Sequence, residues 1–204
     1  MTTAVSAIVL AGGGSTRFGG DKLMADVRGQ PVLHRAIGAV AGVADEIVVV
    51  LAPGAPEPPL PGDLATPVAI ARDATPGRGP LAGLAAGLAA ASQPVALLVG
   101  GDQPWLRADV LRALLDELRT ESGRPEVDVV ALQDGDTFRP FPVALRVATV
   151  LPAAAAALAG PDLRLFTLFA RLRLARVPEA RWRALDPHGD SLRDVDTRRD
   201  LLPA

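Results

Sequence analysis

Residues 7–22 read AIVLAGGGSTRFGGDK, and this stretch decides the fold. A short apolar run ending at Leu10 passes through Ala11 into three glycines, Gly12, Gly13 and Gly14. Ser15, Arg17, a second pair at Gly19 and Gly20, then Asp21 and Lys22 follow. An apolar strand that empties into a glycine-rich, cationic loop suits phosphate, because backbone N–H groups without a Cβ beside them can approach an anion closely. Arg17 and Lys22 add charge of two kinds, a flat fork and a mobile point charge. The dinucleotide fingerprint G-x-G-x-x-G fails, because Arg17 stands where the third glycine belongs. The P-loop G-x-x-x-x-G-K-[ST] fails as well: Gly14 and Gly19 have its spacing, but Gly20 follows and Lys22 comes too late.

The chain around the loop is 204 residues long, which suits one domain over residues 1–204 with a substantial core. Hydrophobic residues make up 49% of it and the formal net charge is −2, a balance that gives no reason to expect nucleic acid as a partner. There is no cysteine, which excludes disulfides, thiolate nucleophiles and zinc–thiolate sites. The first residues, MTTAVSAIVL, lack the basic region of a signal peptide. No apolar run reaches the roughly 18 residues of a membrane span. A soluble, cytoplasmic protein is the expectation. Lys22 is the sole lysine, so a position inside the loop keeps an ammonium while arginine supplies the other cations.

Strand and helix patterns alternate along the chain. Strands are expected at residues 4–10, 46–51, 68–71, 95–99, 127–131 and 174–177. Helices are expected from residue 32, where Val32, Leu33, Ala36, Ile37 and Val40 recur at helical spacing, after a second glycine-rich loop at residues 75–83 through about residue 91, and at 108–120, 147–159, 165–172 and 198–202. Residues 141–145 suit an edge or antiparallel strand, since Pro140 and Pro142 cannot donate to a ladder. The order gives an α/β fold: a three-layer α/β/α, Rossmann-like architecture around a mostly parallel sheet. Such sheets bind ligands at the carboxyl ends of their strands, so the Gly12 loop, Asp73 and Asp102 should converge on one crevice.

Asp102 is the leading metal candidate. It follows the strand VALLVGG, whose two glycines leave room for a ligand, and a carboxylate there suits Mg²⁺, which one or two carboxylates and substrate phosphates commonly hold. A turn-capping role before Pro104 is the alternative.

The loop resembles L-A-G-G-x-S-x-R-M-G-x-D-K, the signature of nucleotidyltransferases of the molybdenum cofactor guanylyltransferase family. Leu10, Ala11, Gly12, Gly13, Ser15, Arg17, Gly19, Asp21 and Lys22 match, and Phe18 replaces the usual Met. The resemblance implies the nucleotidyltransferase form of the fold and a nucleotide site drawn from Leu10, Ala11, Gly12, Gly13, Gly14, Ser15, Lys22, Asp73, Gly79, Gly83 and Asp102. It gives Arg17, Lys22 and Asp102 the catalytic roles. The family's G-x-D-M-P segment, whose aspartate binds Mg²⁺, corresponds to Gly100 through Pro104, with Gln103 for Met. LRDVDTRRDL, residues 192–201, resembles the family's closing segment and sets Asp194 and Asp196 where Asn or Asp usually stand. Strand alternation would put both on one face, and Asp196 is chosen as the second metal ligand, with a helix N-cap as its other role.

Asp73 matches the family aspartate that contacts the nucleotide. It could take the N1–H and 2-amino edge of guanine or a ribose hydroxyl. The family's asparagine after the second strand has no match at Leu51-Ala52-Pro53. Arg139 stands where the family has a histidine on the acceptor side, and either binds the acceptor's phosphate or covers surface. The implied reaction moves GMP from GTP to molybdopterin with release of pyrophosphate, and the implied partners include a molybdenum-insertion protein or molybdoenzyme chaperone. The D-V-D-T ending also suits cytidylyltransferase relatives, and a non-catalytic nucleotide or molybdopterin carrier is the reading from another class. His34 and His188 read as structural or exposed.

Overall fold

The computed structural model describes residues 3–12, 18–74, 77–119 and 127–201. Gly13, Gly14, Ser15 and Arg17 of the expected site lie outside the described residues. The order of elements is β1 Val5–Leu10, β2 Asp26–Val27, β3 Gln30–Pro31, α1 Val32–Ala41, β4 Glu46–Leu51 and β5 Val68–Arg72. It continues with α2 Gly79–Ala90, β6 Val95–Gly100, α3 Ala108–Arg119, β7 Val129–Asp134 and β8 Thr137–Arg146. Then come α4 Val147–Leu158, α5 Leu165–Ala170, β9 Leu174–Val177 and α6 Glu179–Leu185, with short 3-10 turns at Asp190–Leu192 and Arg198–Leu201.

Alternation along the strands builds three layers. Val5, Ala7 and Val9 of β1, and Val95, Leu97 and Val99 of β6, face one core with Leu33, Ile37 and Val40 of α1, Leu111 and Leu114 of α3, and Trp182 of α6. The intervening Ile8, Ala96 and Leu98 face the other core, with Leu81, Leu84 and Leu88 of α2, Val150 of α4 and Phe169 of α5. Strands apolar on both faces mark a sheet covered on both sides. The seven-stranded sheet runs in the order β5-β4-β1-β6-β8-β7-β9, and β2 with β3 forms a separate small ribbon. β1 pairs in parallel with both β4 and β6, so their carboxyl ends share a rim.

Several elements depart from the expectations, among them β8, β7 and α6. β8 is antiparallel, as one alternative held, but it is not at an edge: it lies between β6 and β7. Its prolines fit there because pairing with β6 stops at Val143 and the register with β7 shifts opposite Leu132. Pro140 and Pro142 fall in that irregular stretch, where the lost donors cost no ladder bonds. The strand expected at 127–131 begins two residues later, because Asp128 turns instead to Arg173. Its carboxylate accepts from the Arg173 backbone N–H at 3.1 Å and from Nε and Nη2 at 3.0 and 2.7 Å. Finally, α6 was absent from the reading. Only seven residues long, it is held by Trp182, which is fully buried and whose Nε1–H donates to the Gln133 carbonyl at 2.8 Å.

Helix α2 lies close against β1 and β4 because Gly87 has no side chain. A Cβ there would collide with Cγ2 of Ile8 and come within 3.1 Å of Cγ2 of Val50. Gly38 in α1 is exposed, with nothing near a Cβ. The same change should therefore act with opposite signs. Gly38→Ala should stabilise by about 1 kcal/mol through helix propensity. Gly87→Ala should destabilise by ~1–2 kcal/mol, overpacking outweighing that gain. Urea midpoints of both variants check this.

The Arg173 hydrogen bonds, opposed by burial, hold the Asp128 carboxyl below its ordinary value of 3.8. A lowered carboxylate stabilises above its unfolded value and loses that contribution as pH falls through the folded one. Asp128→Asn should cost ~1–3 kcal/mol at neutral pH. The difference from the wild type should shrink as the pH drops below 3.8, as urea unfolding across pH would reveal.

Candidate active site

The shared rim of the parallel strands opens into a cavity of ≈ 540 Å³. Leu10 and Gly12 reach it from the end of β1, Ala52 and Pro53 from the end of β4, and Asp73 from the end of β5. Gly79 and Gly83 present the first turns of α2. These helical turns carry Pro80, where a missing N–H leaves no helical bond unmade. Gly100 and Asp102 enter from the end of β6, and Arg139, Pro140 and Phe141 line the cavity from the start of β8. The expected convergence of the Gly12 loop, Asp73 and Asp102 is thus present in the described part of the loop.

Hydrogen bonds explain why these segments meet. The Ala11 N–H donates to Val50 O at 2.8 Å, the Gly101 N–H to Leu10 O at 2.9 Å and the Asp73 N–H to Leu51 O at 3.0 Å. Ala11 itself is buried behind the rim and does not line the cavity. At Gly101 a Cβ would stand 3.0 Å from the Leu10 carbonyl oxygen, so the crossing needs glycine. At Gly100 a Cβ would stand 2.5 Å from Oδ1 of Asp102, which leaves the carboxylate space only because that side chain is absent.

Lys22 lines the cavity beside Asp102. Its Nζ lies 2.7 Å from Oδ2 of Asp102 and 3.6 Å from Oδ1 of Asp196, and its side chain is only 10% exposed. Asp194 lines the cavity on the same side. Partial desolvation in the cleft, then the negative charges of Asp102 and Asp196, push the Asp194 carboxyl above its ordinary value of 3.8. The chain around Asp194 and Asp196 is not a strand, contrary to the sequence expectation. What holds it is the Val195 N–H, which donates to the Asp102 carbonyl at 2.9 Å, and the burial of Val195 against Phe18, Val27 and Val32. Phe18, in place of the family's Met, thereby ties the first loop to the closing segment. The helix expected at 198–202 is a 3-10 turn tied by Asp200, whose Oδ2 accepts from the backbone N–H groups of Asp196 and Thr197. The carboxylate of Asp196 turns to Lys22 rather than to a cap.

Two contributors escaped the sequence reading. Gln103 is buried, accepts from the Gly100 N–H at 2.9 Å through Oε1 and so braces the turn that carries Asp102. Asp134 accepts from Arg139 Nε at 2.8 Å and fixes the arginine on the cavity wall. A buried amide and a cross-hairpin ion pair leave no spacing signature, although Gln103 two residues after Gly101 was visible as a substitution. Among the described residues no cluster of three or more His, Cys, Asp or Glu side chains is arranged to hold a metal by itself, and no helix is long and apolar enough to cross a membrane.

Known proteins share this fold. Residues 7–175 match the family model described as the MobA-like NTP transferase domain. A protein of Natronomonas pharaonis described as a probable molybdenum cofactor guanylyltransferase is 30% identical over 197 residues, 95% of this chain and 93% of that one. Among solved structures, the molybdopterin-guanine dinucleotide biosynthesis protein A of Archaeoglobus fulgidus superposes with a TM-score of 0.73 at 18% identity, covering 97% of this chain and 94% of that one. A 2-C-methyl-D-erythritol 4-phosphate cytidylyltransferase of Thermus thermophilus superposes with a TM-score of 0.64 at 19% identity, covering 98% and 96%. At these identities the two structures speak for the fold.

An NMR titration of side-chain carboxyls should give Asp194 a midpoint above 3.8. In Asp102→Asn that midpoint should fall, because a neighbouring negative charge is gone. An unchanged midpoint would separate the two carboxyls.

Proposed function

The chain belongs to the MobA-like NTP transferase domain family, and from that premise we propose that it transfers GMP from GTP to the phosphate of molybdopterin, forming the guanine dinucleotide cofactor and pyrophosphate. The observation that carries the reading is Lys22, 2.7 Å from Asp102, in the lining of a cavity that Asp73, Gly79 and Arg139 also line. The extended likeness to the Natronomonas pharaonis protein favours molybdopterin as acceptor.

In this reaction an oxygen of the acceptor's phosphate attacks the α-phosphorus of GTP. The new bond is P–O, the bond to the pyrophosphate oxygen breaks, and the electron pair leaves with pyrophosphate. A phosphate monoester is already ionised near neutral pH, so no protein base is required. Positioning and charge stabilisation then do most of the catalysis. Lys22 offers its ammonium to the phosphates. Gly12, Gly13, Gly14 and Ser15 donate backbone N–H groups, and Arg17 adds its fork, roles assigned from the loop's sequence. Asp73 accepts from the guanine edge or the ribose, and Arg139, steadied by Asp134, meets the acceptor's phosphate.

The residues present fit Mg²⁺. The side chains are hard carboxylate oxygens, and Gly100 leaves space at Oδ1 of Asp102. Asp102 would hold the ion, with Asp196 or Asp194 as the second carboxylate and phosphate oxygens completing the shell. When bound, the ion neutralises charge on the phosphates. The cytoplasm, with its nucleotide pool, is the proposed setting.

Pyrophosphate release measured with GTP, CTP, ATP and UTP, molybdopterin and Mg²⁺ supplied, tests the proposal. GTP should be preferred, and removal of Mg²⁺ by EDTA should stop turnover. Asp102→Ala and Lys22→Ala should each lower kcat about 10²-fold or more. Preference for CTP would replace the guanylyl reading by the cytidylyl one. GTP binding without pyrophosphate release would make the chain a carrier.

A further inference from the structure

Lys22 occupies a position that a divalent cation would also favour. Its ammonium touches Asp102 at 2.7 Å and lies 3.6 Å from Asp196, so one positive charge serves two carboxylates. The backbone that carries each of Lys22 and Asp102 is held in place, which leaves the lysine side chain as the part that can move. The Asp102 backbone is held on one side by Val195 N–H on its carbonyl and on the other by Gly101 N–H on Leu10 O. Lys22 is only 8% exposed, and its own carbonyl accepts the Ala25 N–H at 3.3 Å. A divalent ion on the Asp102 carboxylate, even at Oδ1 rather than the Oδ2 that Lys22 holds, would place like charge close to the ammonium in a partly desolvated cleft. At such distances repulsion between the two cations is worth more than the entropy of moving a lysine tail.

We propose that Lys22 and the divalent cation compete for Asp102, so that the cation binds weakly alone and enters only with a triphosphate that draws the ammonium away. Lys22 is then a resident counter-ion that is handed to the phosphates as the metal arrives. A triphosphate offers the ammonium several charged oxygens in place of one carboxylate. The inference rests on the transferase reading only in supplying the triphosphate.

Because Lys22 is the sole lysine, protein labelled with ¹³C-lysine gives one side-chain signal that reports this ammonium alone. GTP added in EDTA should shift that signal, and Mg²⁺ added alone should leave it in place. In parallel, the affinity for Mn²⁺ alone is measured by electron paramagnetic resonance of the free ion. Lys22→Met should bind Mn²⁺ at least about tenfold more tightly than the wild type. Lys22→Arg, which keeps the charge, should stay weak, and adding Asp102→Asn to Lys22→Met should abolish the gain. Circular dichroism confirms that each variant is folded. Equal Mn²⁺ affinity for wild type and Lys22→Met, or a lysine signal that moves with Mg²⁺ alone, overturns the competition. No measurement here uses turnover, so a chain that releases no pyrophosphate refutes the transferase reading while the Mn²⁺ comparison still decides this one.

Discussion

The backbone hydrogen bond from Gly101 to the Leu10 carbonyl, 2.9 Å long, is the constraint on which the site depends. It joins the exits of β1 and β6, two neighbouring parallel strands separated by most of a hundred residues of chain. The Lys22–Asp102 ion pair hangs from those exits: the glycine loop and Lys22 from one, Asp102 from the other. The contact needs a residue without a side chain at 101, because a Cβ would press on the very carbonyl that accepts the bond. The apolar cores on either face of the sheet supply the stability that keeps this crossing rigid, and the site is built on that rigidity.

Charge balance in the cavity follows from the same geometry. Asp102, Asp194 and Asp196 come from two segments far apart in sequence, and Lys22 sits among them. The closing segment reaches this position through Val195, whose N–H meets the Asp102 carbonyl and whose side chain packs on Phe18. An apolar residue between two acidic ones thus aims both carboxylates, doing without a strand the work that alternation in a strand would have done.

Much of this was legible in the sequence. The Leu10–Gly12 exit, the β-branched run at Glu46–Leu51 and the VALLVGG run ahead of Asp102 each combine apolar composition with an abrupt glycine or proline stop, and local chemistry of that kind fixes strands. The crevice then follows from strand direction alone. What stayed hidden depends on contacts between distant residues. Nothing local distinguishes EARWRAL as a helix until Trp182 has the Gln133 carbonyl to bond. Pro140 and Pro142 argued for an edge because the register shift beside them is a property of β7, not of their own strand. The strand expected around Asp194 and Asp196 is missing, since the segment that carries them takes its shape from Asp102 and Phe18. Gln103 looked like a plain replacement for Met until the Gly100 N–H gave its amide a purpose.

The reversed strand β8 divides the cavity into parts of different origin. Parallel strands send only their exits to the rim, but β8 sends its entrance, so Arg139, Pro140 and Phe141 join a rim otherwise made of exits. The hairpin ahead of them, at Gly135 and Asp136, links β7 to β8 and lies outside the parallel ladder. Residues can be added to or removed from that hairpin without disturbing β1, β4 or β6. One part of the cavity lining can therefore change in length and shape while the part with Gly12, Asp73 and Gly83 stays locked to the parallel strands and α2, so the two portions of the lining are free to diverge separately on one scaffold.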